Sequence, residues 1–205
     1  RVINNITRSA SLFLVKTCFS YLLSLLMLTL ALSYPFRPIQ MTLVSSFTVG
    51  IPSFFLAMEP NRERVKGGFL LTILKNALPA ALSNLALMVL IFIFSGLLGL
   101  SDAQRSTIAV AAIGVTGLFV LAYTSRPLTL MRGMLLLAMG AGMALTGLLF
   151  GGFFFLAPLA GKAAVLAGAL MALSPALLWF LRRLVNTGFA RWEAWRANQL
   201  PAKGP

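Results

Sequence analysis

Six stretches of about 20 largely apolar residues recur along this 205-residue chain. Each is long enough, at ~1.5 Å per residue, to cross the hydrocarbon of a bilayer as a helix. No water reaches that layer to serve backbone N–H and C=O groups, so such a segment has to satisfy them within itself. The expectation is an all-α polytopic membrane protein, a six-transmembrane-helix bundle. The spans are read as Leu12–Ser33, Ile39–Met58, Leu71–Leu100, Thr107–Tyr123, Leu135–Phe154 and Lys162–Leu181. A polar stalk at residues 1–11 precedes them and a basic tail at 182–205 follows. Composition agrees: 59% of residues are hydrophobic and 10% charged, with a mean hydropathy of +0.92, outside the range of soluble domains. The opening Arg1-Val2-Ile3-Asn4-Asn5 has no initiator Met and no signal-peptide pattern. It reads as the interior of a longer polypeptide, with this chain as one membrane domain of it.

The formal net charge is +13. In a soluble chain that excess would suggest nucleic acid; here its distribution points to membrane orientation instead. An even number of spans returns the tail to the side of residue 1. Of the Lys and Arg other than Lys16, thirteen then share that side, and only Arg37, Arg105 and Lys162 lie on the other. Both termini are therefore expected in the cytoplasm. Arg182, Arg183, Arg191 and Arg196, with Trp192 and Trp195, suit a helix lying on anionic lipid. There is no histidine, and the only acids are Glu59, Glu63, Asp102 and Glu193. That scarcity argues against a self-contained hydrolase, a His/carboxylate metal site or a carboxylate proton relay. The single Cys18 allows no internal disulfide.

The second span is interrupted. Pro38 to Pro60 reads P-I-Q-M-T-L-V-S-S-F-T-V-G-I-P-S-F-F-L-A-M-E-P, with Gly50 and Pro52 at its centre. Proline has no N–H, so the carbonyl of Thr48, four residues back, is expected to lose its partner. Irregular backbone at membrane depth is tolerated where protein buries it or where it lines a polar cavity, and broken helices in transporters present such oxygens to ions. Ser45 and Thr48, three apart, share a face with the freed carbonyl. The competing reading is an ordinary proline kink whose hydroxyls only re-satisfy their own helix. In the first span Thr17, Ser20 and Ser24 fall on one face. Lys16 either serves a function at depth or reaches back to the headgroups. Asn84 in the third span reads as an interhelical hydrogen bonder, with a ligand role as the alternative, and Gly140, Gly147 and Gly151 suit the fifth to close helix packing. Ser174-Pro175 marks a second, structural kink.

R-V-I-N-N-I at the start, P-I-Q-M-T-L-V-S-S-F-T-V-G-I-P across the interruption and the following A-M-E-P-N resemble the C-terminal membrane region of P-type cation-transporting ATPases. The likeness is to transmembrane helices five to ten of the calcium-pump-like branch and its bacterial relatives. It extends over essentially the whole chain, with the specific motifs in about its first sixty-five residues. The resemblance implies that Asn4 and Asn5 lie on a stalk helix leaving the phosphorylation domain. It implies a cation pathway through Thr17, Ser20, Ser45, Thr48, Gly50 and Pro52, with Lys16 as an internal counter-charge. The loop carrying Glu59, Arg62 and Glu63 would contact the phosphorylation domain. Calcium pumps carry an aspartate before the glycine, where this chain has Val49. They carry an asparagine and a glutamate three apart where it has Thr17 and Ser20.

The chain has no Asp-Lys-Thr-Gly phosphorylation loop and no Thr-Gly-Glu. By the resemblance, ATP, Mg2+ and the actuator, nucleotide-binding and phosphorylation domains belong upstream in the same polypeptide. The whole would be an ion-translocating ATP hydrolase of the bacterial plasma (inner) membrane. Its partners would be the lipid bilayer and the transported cation, with no nucleic acid and no cofactor held by this segment. The alternatives are a stand-alone six-span secondary transporter or channel, or a non-transporting membrane scaffold. The interrupted span has no counterpart in the second half, unlike the inverted repeats of many secondary transporters.

Overall fold

A computed structural model describes residues 2–58 and 69–199. The described residues form α1 (Val2–Thr29), α2 (Pro38–Ser45), a π-helical turn (Ser46–Gly50), α3 (Ile51–Met58), α4 (Phe69–Leu97), α5 (Asp102–Thr124), α6 (Leu130–Leu149) and α7 (Lys162–Gln199). Counting α2, the π turn and α3 as one interrupted element, six helical elements are long and apolar enough to span a membrane. This is a six-helix membrane bundle with a broken second helix.

Several helix ends fall away from the hydropathy boundaries, each for a local reason. The helix α1 stops at Thr29, where Ala31 turns left-handed (φ 51°) and the Leu32 N–H bonds back to the Met27 carbonyl at 3.0 Å. At the end of α4, Gly99 (φ 66°) allows the Leu100 N–H to close on the Ser95 carbonyl at 2.9 Å, a glycine-terminated helix end. The helix α5 begins at Asp102, five residues before the expected Thr107, because Ser101 and Gln104 form a capping box. Thr129 accepts the Arg132 N–H and starts α6 at Leu130 rather than Leu135. Its exit comes at Leu149, ahead of Phe154, because residues 151–155 form a turn.

The described part of the tail, through Gln199, continues the sixth span as one helix. The helix α7 runs through Pro175 to Gln199 without interruption. Its second half docks on the start of α4: Lys75 Nζ meets Glu193 Oε1 at 2.7 Å, and Arg182 donates to Asn76 Oδ1 at 3.4 Å.

The helices α4 and α5 form the centre of the bundle. About half of each one's most apolar stretch is buried, against 11% for α6. The helix α1 lies along α4, and both α4 and α5 pack on α7. One apolar cluster joins Phe19, Leu23, Leu87, Ile91, Ile108 and Leu170; a second joins Leu12, Leu56, Ala77, Ala80 and Leu121. Between them the interrupted element is held tightly by glycines opposite it. A Cβ on Gly117 of α5 would stand 2.6 Å from Thr48 Cγ2, and one on Gly142 of α6 would stand 2.7 Å from Phe47 Cε1. The expected glycines do less. Added Cβ atoms on Gly140 and Gly147 would meet their nearest neighbours at ordinary distances, and one on Gly151 would strike the carbonyl of Gly147.

Candidate cation site

The interruption at Gly50 and Pro52 takes the form of a π turn rather than an unwound gap. The Ile51 N–H reaches the Ser46 carbonyl, five residues back. The extra residue widens the turn, as π bulges do at many functional sites. The N–H missing at Pro52 then leaves the backbone short of a donor around Phe47 and Thr48, four to five residues earlier. Thr48 is buried and Ser45 partly so. Their hydroxyls point back along the helix: Ser45 Oγ donates to the Met41 carbonyl at 2.6 Å, and Thr48 Oγ1 to the Val44 carbonyl at 2.8 Å. Both hydrogens are committed within the helix, which leaves oxygen lone pairs as what these side chains can offer a ligand.

Beside this turn lies a cavity of about 30 Å³, room for one or two water-sized guests. Lys16 of α1, Ser45 and Thr48 of the interrupted helix and Asn84 of α4 all line it, within an otherwise apolar wall. Asn84 is 4% exposed, and its Oδ1 has no hydrogen-bond partner. Three sequence-derived candidates, Lys16, Ser45 and Thr48, thus meet in one place. Thr17 and Ser20 do not join them. With Ser24, Tyr21 and Phe13 they line a separate groove on the outer face of α1, where Thr17 Oγ1 donates to the Phe13 carbonyl at 3.0 Å. Lys16 borders both the groove and the cavity. Asn4 and Asn5 fall in α1, with side chains outside the described residues; Glu59, Arg62 and Glu63 also lie outside them.

Sequence reading missed how the start of the interrupted helix is anchored. Gln40 is 1% exposed. Its Nε2 donates to Ser106 Oγ at 2.9 Å and to the Phe155 carbonyl at 3.2 Å. Its Oε1 accepts from the Arg37 N–H at 3.0 Å. One amide side chain therefore ties α2 to α5 and to the turn after α6. The proline-rich start of α2 signals a helix beginning, but nothing in the local sequence names the distant partners.

No family model matches the chain, and no solved structure matches it. Curated proteins do. The calcium-transporting ATPase CtpE of Mycolicibacterium smegmatis is 36% identical over 141 residues, 62% of this chain and 18% of its own length. CtpE of Mycobacterium bovis is 36% identical over 154 residues, 68% and 19%. The protein named "Probable cation-transporting ATPase exp7" of Streptococcus pneumoniae is 33% identical over 156 residues, 72% and 20%. The matched region is about a fifth of the length of these relatives. With six apolar helices and an interrupted second element, the chain is homologous to P-type cation-transporting ATPases and corresponds to their membrane-embedded part.

Proposed function

We propose that this chain forms part of the ion pathway of an ATP-driven cation pump, with the π turn at Ser46–Gly50 as its ion-handling element. The observation that carries the reading is the convergence of Ser45, Thr48 and Lys16 on one cavity beside that turn. A dehydrated cation needs oxygen lone pairs at membrane depth, and an interrupted helix supplies them from hydroxyls and from backbone short of donors. Lys16 acts as an internal counter-charge between this cavity and the groove of Thr17 and Ser20, which extends the pathway along α1. Both termini are cytoplasmic. The stalk around Asn4 and Asn5 and the loop of Glu59, Arg62 and Glu63 couple the bundle to upstream actuator, nucleotide-binding and phosphorylation domains, where ATP and Mg2+ are held. The pump sits in a bacterial plasma membrane.

The test is vanadate-sensitive ATPase activity of the full-length polypeptide against Ca2+, Mg2+, Mn2+, Zn2+, Na+ and K+. Stimulation by one ion, with a half-activating concentration raised by Thr48→Ala, is the expected outcome. ATP hydrolysis that no ion stimulates, or wild-type ion affinity in Thr48→Ala, would remove the ion-site assignment.

A further inference from the structure

The cavity beside the π turn contains one polar atom that the packing does not explain. Asn84 Oδ1 is buried and accepts no hydrogen bond, although a helix-bridging asparagine would be expected to find a donor. An unpaired buried carbonyl oxygen is costly, and native proteins retain such groups where strain, a chemical role, or a bound water or ion accounts for them. The Ser45 and Thr48 hydroxyls donate elsewhere, to the Met41 and Val44 carbonyls, and the Lys16 ammonium, which also lines the cavity, makes no hydrogen bond to Asn84 Oδ1. From the hydroxyls and the amide oxygen the cavity therefore receives lone pairs, and a guest that brings positive charge fits them best. Among the described residues no carboxylate lines it: Val49 stands before Gly50, and the two acids, Asp102 and Glu193, are ion-paired with Arg105 and Lys75.

We infer that Asn84 of α4 is a further cation ligand, its amide oxygen completing with Ser45 and Thr48 a set of neutral oxygens that spans two helical elements. The assignment rests on the ion-pathway reading above and adds a third helix to it. Neutral oxygens bind a divalent ion weakly, because Ca2+ sites draw much of their affinity from carboxylate charge. Position 84 consequently controls both affinity and the balance between divalent and monovalent ions.

The experiment measures ion-stimulated ATPase activity of the full-length protein with Ca2+ alone and with Na+ alone, in Asn84→Ala, Asn84→Asp and Thr48→Ala. Asn84→Ala is expected to raise the half-activating ion concentration about tenfold while the maximal rate stays within about twofold. Asn84→Asp adds a carboxylate and is expected to lower the half-activating Ca2+ concentration about tenfold relative to that for Na+. A residue that only braces the helices would not change ion preference in this way. Should Asn84→Ala fail to fold, the preference of Asn84→Asp decides alone. A shift in Thr48→Ala with wild-type values in both Asn84 variants overturns the inference and leaves the pathway standing. Wild-type values in all three overturn both.

Discussion

Gly117 sets how closely α5 can approach the interrupted helix, and so fixes where Thr48 sits. A methyl group there would need the space now held by Thr48 Cγ2, 2.6 Å from its ideal position. Thr48 is buried among packed helices and can yield only by moving within the cavity it lines. Gly117→Ala is therefore expected to raise the half-activating ion concentration about tenfold in the ATPase assay, although residue 117 offers no ligand atom. Gln40 gives the contrasting case. Gln40→Leu would leave the Arg37 N–H and the Phe155 carbonyl without their partner and strand Ser106 among buried groups, which costs about 1–3 kcal/mol. A lower thermal-unfolding midpoint in detergent with unchanged ion affinity is expected, because Gln40 does not line the cavity. Neither role is readable from the sequence. A glycine's importance depends on what faces it across a helix pair, and Gln40 finds its partners 66 and 115 residues away.

Elements were easier to read than their ends. Hydropathy locates all six spans because their backbones have no alternative to internal bonding in lipid. Their ends depend on single groups that hydropathy averages away: the Ser101–Gln104 box, Thr129, and the left-handed Ala31 and Gly99. The interruption of the second span was legible, since Gly50 and Pro52 fall mid-membrane, but its form was not. The chain keeps helical continuity through a π turn and shifts its hydrogen bonding by one residue. The Ser45 and Thr48 hydroxyls bond their own helix, as the kink reading expects, and both residues line the cavity as well. Pro52→Ala tests what the interruption is for. It restores an N–H that can bond a carbonyl one turn back, relieving a defect that costs about 3 kcal/mol in an ordinary helix. The variant is expected to unfold at a higher temperature and to need a higher ion concentration for activation, stability gained where a functional irregularity is lost. Unchanged ion affinity beside the higher stability would make the π turn a packing feature only.

At the scale of the whole molecule, side-chain contacts gather the basic groups at one end of the bundle. Arg8 donates to the Arg126 carbonyl at 3.2 Å, Arg132 to the carbonyls of Ser125 and Pro127, and Lys75 pairs with Glu193. The start of α1, the start of α4, the end of α5 and the second half of α7 thus meet on a single side. Arg37 and Arg105 sit at the opposite end, Arg37 over the Phe155 ring and Arg105 bonded to Ser95 and Asp102. Cytoplasmic excess of Lys and Arg orients polytopic proteins, so the crowded end is predicted to face the cytoplasm. Single cysteines can report this in a Cys18→Ser background of the full-length protein. Ala103 and Ala190 are exposed near opposite ends. In intact cells Ala103→Cys is expected to react with a membrane-impermeant maleimide, and Ala190→Cys only after the cells are opened. The reverse pattern would put the coupling stalk on the far side of the membrane from ATP, and no pump of the proposed kind could work in that orientation.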